Sequence, residues 1–300
     1  MEILIKTVDL NVITIAQFTA ALSDKLGGAD LSAKDEFIKK NIAVILDTMD
    51  VDMDENSIRD KQLFKQPDGS HFGECPICCL PLPLDLSKSG ITSCCCEHIC
   101  YGCSHANQTR ETLQGLEQRC PYCREPLTKT EEEIEKNQKK RVKANDPVAL
   151  RELGKKCRDE GDYNRAFQYF TKAAELGDIG AHLEVSVLYR KGQGVELDKK
   201  KGEFHLEEAA IGGHPKARIN LGFIEQRRGR HERAAKHFII AAKLGHDQAL
   251  ESVKNGYKRG FVSKDDFAAA LREHQAAVDA TKSKQRENAC AFHNFFGLAS

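Results

Sequence analysis

A dense cysteine cluster is the feature that most restricts how this chain can fold. Ten of its twelve cysteines lie between Cys75 and Cys123. Three Cys-x-x-Cys pairs fall within this stretch, and a run of three cysteines followed by Glu97 and His98 stands between the first pair and the second. Two residues between cysteines allow both thiolates to reach one ion across a tight turn, which is the spacing of tetrahedral zinc sites. The stretch therefore predicts bound zinc.

Disulfide bonds are the alternative use of so many cysteines. They persist in oxidising compartments, and the first residues of the chain lack the basic segment and cleavage site of a secretory leader. No apolar run approaches the length of about 20 residues that a membrane-spanning helix needs. We therefore expect reduced cysteines in a cytoplasmic or nuclear protein that has no membrane partner.

The charge balance argues against a general attraction to nucleic acid. The chain has 45 basic and 45 acidic side chains among its 300 residues, so no net field favours a polyanion, and we expect no nucleic-acid partner. Residues 1–68 are predicted to be a mostly helical region of unknown role, with helices over 12–26 and 32–49. The turn sequence Gln66-Pro67-Asp68-Gly69 marks a boundary.

The cysteine-rich module is predicted over 70–128. A module of this size buries little apolar surface, so bound metal has to supply much of its folding free energy. Residues 129–146 follow with acidic residues at the start and basic residues at the end. That order suits the dipole of an exposed linker helix.

From residue 146 onward the chain repeats with a period near 34 residues. Alanines recur at intervals of 32, 36 and 32, alanine pairs recur at 36 and 32, and glycines follow in the same register. The single alanines are Ala149, Ala181, Ala217 and Ala249, and the pairs begin at Ala173, Ala209 and Ala241. Such a period is typical of stacked helix–turn–helix units. Phe170, Phe204 and Phe238 precede the pairs and are expected to fill the gaps between helices.

One repeat carries a loop sequence that identifies its relatives. The loop reads Tyr189-Arg190-Lys191-Gly192-Gln193-Gly194-Val195-Glu196-Leu197-Asp198. It resembles the Tyr-x-x-Gly-x-Gly-Val-x-x-Asp pattern of the Sel1-like repeat, a relative of the tetratricopeptide repeat. The resemblance spans 147–280, with a degenerate last unit, and implies an α-solenoid that binds a substrate or adaptor protein on its concave face. The tail 281–300 is predicted either to dock on the last repeat or to be disordered.

The order of ligands in the cysteine module resembles a RING finger. In that family the first and third ligand pairs share one zinc ion, and the second and fourth pairs share the other. The resemblance implies two zinc ions, held by Cys75, Cys78, Cys100 and Cys103 and by Cys95, His98, Cys120 and Cys123. The spacing around His98 departs from the family pattern, so Cys96 or Cys94 remain substitutes for the middle ligands.

RING fingers recruit a ubiquitin-conjugating enzyme and favour transfer of ubiquitin without a covalent intermediate of their own. The resemblance assigns the enzyme contact to Ile77, Pro121 and Arg124. The aromatic residue that the family places before the fourth pair is missing, and Leu113 or Leu116 are the nearest substitutes.

The predicted fold is mainly α, with a small cross-braced zinc module followed by an α-solenoid of helix–turn–helix repeats. The predicted function is a RING-type ubiquitin-protein ligase. The first alternative is a non-catalytic zinc-binding scaffold or adaptor. A histone or nucleic-acid reader with another zinc fold is the second, and the absence of tryptophan argues against it.

Overall fold

The structure is a computed structural model that describes the backbone of residues 55–128 and 130–295 and the side chains of 58–128 and 130–292. The helices predicted over 12–26 and 32–49 lie outside the described residues. Within the described part, the residues from Lys61 onward form one compact unit. No helix in this part combines the length and apolar content needed to cross a membrane.

The described part is mainly helical, as predicted. It begins with α1 (Glu55–Leu63), followed by a short 3-10 turn (Leu86–Lys88) and by two strands, β1 (Ser89–Ile91) and β2 (His98–Cys100). Helix α2 (Tyr101–Leu113) follows β2 directly, and the linker forms α3 (Glu131–Lys143). The remaining helices are α4 (Pro147–Asp159), α5 (Tyr163–Glu175), α6 (Ile179–Lys191), α7 (Lys199–Ile211), α8 (Pro215–Arg227), α9 (His231–Lys243), α10 (Asp247–Lys258), α11 (Lys264–Ala280) and α12 (Lys284–Phe295).

The strands pair antiparallel, with Ser89 opposite Cys100 and Ile91 opposite His98. Helix α3 is capped by the side chain of Thr130, which accepts a hydrogen bond from the amide of Glu133, and it buries no residue. Acidic residues occupy its first turn and basic residues its last turn, which complements the helix dipole. A helix therefore forms in this segment as predicted, and its role as a linker stays a prediction.

Helices α4 to α11 form four antiparallel pairs, and this confirms the predicted solenoid. Asp146, Asp162, Asp178 and Asp198 each cap a helix by accepting hydrogen bonds from backbone amides of its first turn. The repeating alanines are buried, with exposed fractions of at most 2 % at Ala149, Ala181, Ala217 and Ala249. Small side chains at these positions allow the helices to approach closely.

Large side chains meet small ones within each repeat. Phe170 packs so closely on Gly154 that a Cβ there would lie 2.6 Å from its ring, and Phe238 stands 2.5 Å from the equivalent point on Gly222. The prediction for Phe204 was wrong, because this side chain is 51 % exposed. Leu206 holds the position equivalent to Phe170 and Phe238, three residues before the alanine pair, and it is fully buried. The error was a shift of two residues in register.

The long loop of the second repeat depends on a glycine that approaches the backbone of the repeat before it. Gly194 has a φ of +69°, and a Cβ on it would lie 2.1 Å from the carbonyl oxygen of Tyr163. Only glycine tolerates both the left-handed conformation and this contact. The loop therefore fixes the packing of the second repeat on the first.

Candidate metal centres and the surfaces around them

Three turns in the cysteine-rich module share one backbone pattern. In each, residue i donates its amide hydrogen to the carbonyl of residue i+5, and residue i+4 donates to the carbonyl of residue i. The turns begin at Cys75, Thr92 and Cys120. Residue i+4 is left-handed in all three, with φ values of 54° at Cys79, 59° at Cys96 and 63° at Arg124. Side chains i and i+3 consequently point to the same side of each turn in the two Cys-Pro-x-Cys sequences.

The first group of sulfurs comes from the first turn and from the start of α2. Cys75, Cys78, Cys100 and Cys103 place their Sγ atoms within 4.8 Å of one another, and these are the residues that the RING resemblance assigns to one ion. Cys100 caps α2 through its sulfur, which accepts a hydrogen bond from the amide of Cys103 at 3.4 Å. The hairpin and the helix thereby bring Cys100 and Cys103 next to Cys75 and Cys78.

The second group comes from the other two turns. Cys94, Cys95, Cys120 and Cys123 lie within 4.8 Å of one another. This group includes Cys94, one of the substitutes considered in the sequence, in place of His98. The imidazole of His98 lies on β2, where its Nε2 is 2.9 Å from the hydroxyl of Ser89. Which of these residues bind an ion stays a prediction.

Both groups have dimensions that suit a metal ion. Zinc–sulfur bonds of about 2.3 Å in a tetrahedron separate the sulfurs by about 3.8 Å. The distances are 3.8 Å between Cys78 and Cys100, 3.9 Å between Cys95 and Cys120, and 3.3 Å between Cys94 and Cys123. All twelve cysteines are free thiols. Each group of four could therefore hold a metal ion.

Burial of these thiols makes their deprotonation depend on a nearby cation. It raises the pKa of Cys94 and of Cys103 well above the usual range, and the neighbouring sulfurs add to the effect. Several thiolates cannot share a partly buried site without a compensating positive charge. A divalent ion supplies that charge, so deprotonation of the cysteines and binding of the ion are coupled.

Two cysteines of the module belong to neither group. Cys79 and Cys96 occupy the left-handed i+4 position of their turns, and neither joins a group of four sulfurs. Cys96 is almost fully buried, and burial raises the pKa of its thiol to about 11. Its environment is that of a packed, neutral thiol.

The three residues predicted to contact a conjugating enzyme stand on two of the turns. Ile77 is 40 % exposed between the first two cysteines, and Arg124 follows the last cysteine at the left-handed position. The guanidinium of Arg124 donates to the side-chain oxygen of Asn107 on α2 at 2.9 Å. Pro121 is partly exposed in the same turn. The two leucines considered as substitutes for the missing aromatic residue are exposed, Leu113 to 82 % and Leu116 to 55 %.

The end of α1 packs into the face of the second and third repeats. Leu63 is buried in the apolar cluster that contains Leu183, Leu206 and Leu221. Arg218 on α8 is completely buried, and it donates to the carbonyl oxygens of Leu63 and of Lys65, the latter at 3.4 Å. The periodic pattern of the repeats gave no sign of this contact, apart from an arginine at a position where the first and fourth repeats have leucine.

Two histidines join the cysteine-rich module to the repeats. His71 stacks on His214 with ring centroids 3.8 Å apart, and its amide donates to the carbonyl of Gly213 at 3.1 Å. His214 is the N-cap residue of α8, where the first two repeats have a capping aspartate, and its side chain makes no capping hydrogen bond. Burial is the main cause that lowers the pKa of His71 to about 2 and that of His214 to about 3. Both rings are therefore neutral in the folded protein at physiological pH.

The C-terminal helix docks on the cysteine-rich module, and neither alternative predicted for the tail anticipated this. Helix α12 packs on α2, with Phe292 against His105 at 4.6 Å between ring centroids. The contact joins segments that are far apart in sequence, which is why local sequence patterns did not reveal it.

Comparison with known proteins identifies the repeats. A family model described as Sel1 repeat matches residues 147–178, 179–214 and 215–246. Chitin synthase regulatory factor 4 of Schizosaccharomyces pombe is 33 % identical over 84 residues, which cover 28 % of this chain and 13 % of that protein. The chain thus matches only a small fraction of that relative.

Two solved structures resemble the chain over part of its length. A Sel1 repeat protein from Oxalobacter formigenes has a TM-score of 0.43 at 23 % identity, covering 59 % of this chain and 73 % of its own. A protective antigen of uropathogenic Escherichia coli has a TM-score of 0.40 at 26 % identity, covering 49 % and 33 %. The family match and the three helix pairs from α4 to α9 carry the assignment: residues 147–246 of this chain are three consecutive Sel1 repeats.

Proposed function

We propose that the protein is a non-catalytic, zinc-binding scaffold that holds partner proteins together. The observation that carries this proposal is the run of three Sel1 repeats over 147–246, since arrays of this kind present extended surfaces for protein binding. The matched relative is named as a regulatory factor of chitin synthase, a role exerted on another protein. In this proposal, the zinc ions stabilise a module over 70–128 and fix it beside the repeats over 147–280.

The second repeat offers a surface for a partner. Leu197 and Phe204 are 54 % and 51 % exposed, and they stand on the long loop and on α7. They lie seven residues apart in the sequence within one helix–turn–helix unit, and exposed apolar patches mark protein-binding surfaces. We propose that this surface binds a substrate or adaptor protein.

Elemental analysis tests the metal part of the proposal. The purified chain is expected to contain two zinc ions, and Cys120→Ala is expected to lose one because three ligands do not close the tetrahedron. Cys79→Ala serves as the matched control and should keep both ions. A zinc content of zero would refute a zinc-dependent module.

Site-specific photocrosslinking tests the partner part. A photoreactive amino acid at position 197, introduced into the full chain in its own cells, should capture a discrete set of proteins. Phe204→Ala in the same chain should reduce their capture at least fivefold, whereas Tyr257→Ala on the fourth helix pair should not. Equal capture with and without Phe204 would show that the surface of the second repeat is not the binding site.

A ubiquitin ligase is the second candidate, and the exposure of Ile77 and Arg124 on the cysteine module favours it. In this reading, Ile77 and Pro121 contact a ubiquitin-conjugating enzyme. Arg124 donates hydrogen bonds that stabilise the reactive arrangement of enzyme and ubiquitin. The polar contact of Arg124 with Asn107 orients its guanidinium over α2.

Single-turnover discharge of ubiquitin to free lysine separates the two candidates. A ligase should accelerate discharge from at least one conjugating enzyme. Ile77→Ala should then weaken enzyme binding, and Arg124→Ala should slow discharge while binding is kept. Arg119→Ala, an exposed arginine next to Cys120, is the matched control at equal zinc content. Rates equal to those of the conjugating enzymes alone across a broad panel would leave the scaffold as the function.

A further inference from the structure

Helix α12 approaches the first group of cysteines more closely than helix packing alone requires. Gly102 on α2 lies against Arg286, and a Cβ on this glycine would stand 2.8 Å from the side chain and 2.9 Å from the Cα of Arg286. The side-chain amide of Gln285 donates to the carbonyl of Gly102 at 3.1 Å. The absence of a side chain at Gly102, between Cys100 and Cys103, thus allows α12 to pack beside the first group of cysteines.

The guanidinium of Arg286 reaches past α2 to the first cysteine turn. Its Nη1 donates to the carbonyl oxygen of Pro81 at 2.7 Å, and its Nη2 donates to that of Leu80 at 3.1 Å. Nη2 also lies 3.3 Å from the sulfur of Cys78. A further bond from Nη1 to the carbonyl of Thr281, at 2.8 Å, anchors the side chain to its own segment. Arg286 is only 8 % exposed.

This arrangement is costly unless the arginine has a partner of opposite charge. The carbonyl groups of Pro81, Leu80 and Thr281 are neutral, and a guanidinium keeps its positive charge under all ordinary conditions. Four cysteine thiolates around a divalent cation carry a net charge of −2. A guanidinium at the sulfur of Cys78 would offset part of that charge, and charge-assisted hydrogen bonds to a ligand atom hold it in the orientation that the ion requires.

We propose that Arg286 is a positioning residue of the first metal group and that the C-terminal helix completes this site. The two Nη atoms of the guanidinium hold the turn between Cys78 and Pro81 through their hydrogen bonds to its carbonyl groups. The positive charge of the guanidinium offsets part of the charge of the thiolates. Beside the second group stands a neutral hydroxyl instead, that of Thr92, whose Oγ1 is 3.0 Å from the sulfur of Cys95. The first group should consequently hold its ion longer than the second.

Timed chelation of the zinc-loaded full chain tests this inference. Samples taken during exposure to an excess of chelator are treated with a cysteine-alkylating reagent, and mass spectrometry follows each cysteine separately. In the natural chain, the cysteines of the first group should become reactive more slowly than those of the second. Outer ligand partners typically change metal affinity by about 10- to 100-fold, so Arg286→Met should expose the first group at least tenfold faster and leave the second unchanged.

Arg272→Met, which removes an exposed arginine from α11, is the matched control and should change neither group. Arg286→Lys keeps the positive charge but lacks the paired donors of the guanidinium, and it should give an intermediate rate of alkylation of the first group. The inference fails if both groups of the natural chain release zinc at the same rate, or if Arg286→Met accelerates both groups equally. It rests on the proposed zinc binding, and elemental analysis separates the two: a chain without zinc refutes both, whereas two ions with equal release rates refute only the role of Arg286.

Discussion

At the scale of single residues, Thr92 accounts for a difference in spacing between the two groups. The first consists of two Cys-x-x-Cys pairs, whereas the second contains the adjacent Cys94 and Cys95. Thr92 begins the middle turn and so holds the position at which the other two turns have Cys75 and Cys120. Its hydroxyl lies 3.0 Å from the sulfur of Cys95, within the space that a ligand sulfur would take. A neutral hydroxyl is a poor ligand for zinc compared with a thiolate. The fourth sulfur of the group is that of Cys94, which is residue i+2 of the same turn.

This geometry predicts that one cysteine can replace another at the second group. Cys94→Ala should reduce the zinc content from two ions to one, because three ligands remain. Adding Thr92→Cys to that variant should restore the second ion, since residue i of the turn already faces the group. Inductively coupled plasma measurement of zinc per chain is the readout.

Cys96→Ala is the control for the same prediction and should keep both ions, because Cys96 belongs to neither group of four sulfurs. Two ions in Cys94→Ala would show that Cys96 or His98 binds zinc instead. That result would favour the ligand set expected from the sequence over the grouping of sulfurs in the structure.

The same residues show what the sequence could and could not predict. Spacing alone was enough to pair Cys75 with Cys78 and Cys120 with Cys123, because two intervening residues permit one local geometry. It could not choose among Cys94, Cys95, Cys96 and His98. That choice depends on which residue adopts a positive φ and on the pairing of β1 with β2, and neither is visible in the spacing.

At the scale of elements, the alanine pairs carry the packing of the repeats. Ala210 lies in the last turn of α7 and is completely buried in the cluster between the second and third repeats. Ala210→Glu would place a carboxylate among apolar side chains. We expect a loss of about 3 kcal/mol or more in the free energy of unfolding, measured as a lower midpoint of thermal unfolding by circular dichroism.

Ala276→Glu on α11 is the control, because Ala276 is exposed in the middle of a helix. It should melt within a degree or two of the parent, as surface substitutions away from special features do. If both variants melt together with the parent, Ala210 does not stand at a packed helix contact, and the register of the second repeat is wrong.

Departures from the repeat pattern turned out to be as informative as the pattern itself. The period near 34 residues predicted the helix pairs correctly because each pair buries the same small side chains. His214 and Arg218 break the period in the third repeat, and both contact the segment from Leu63 to His71. A residue that breaks a packing pattern cannot be interpreted from the pattern, since its partner lies more than 140 residues away.

At the scale of the whole molecule, the cysteine-rich module is attached to the repeats on one side and to α12 on another. His71 stacks on His214 where the module meets α8, and Arg286 binds the first cysteine turn. Neither contact is local in sequence. The module and the repeats were consequently predicted as separate domains, and that division stays a prediction. Because these contacts join the module to the repeats and to α12, a change in the charge of His71 or His214 should alter the stability of the whole described unit.

Acid should weaken the contact through the stacked histidines. Burial lowers the pKa of His71 to about 2 and that of His214 to about 3, whereas an unfolded histidine titrates near 6.5. Below pH 6.5 the unfolded state binds more protons than the folded state. Stability is therefore complete above about pH 6.5 and falls as the pH decreases toward 3. At pH 5.5 the two partly buried rings together should cost about 2–3 kcal/mol, at about 1.36 kcal/mol for each pKa unit.

The measurement is the free energy of unfolding in urea at pH 7.5 and at pH 5.5, with zinc retention checked at both values. A chain carrying His71→Gln and His214→Gln should lose stability at pH 7.5 through poorer packing, yet show a pH dependence smaller by about 2–3 kcal/mol. Other histidines remain in both chains, so their contribution cancels in the comparison. An identical pH dependence in the two chains would mean that the rings of His71 and His214 accept protons without leaving each other, and the stacked contact would then not be where acid acts.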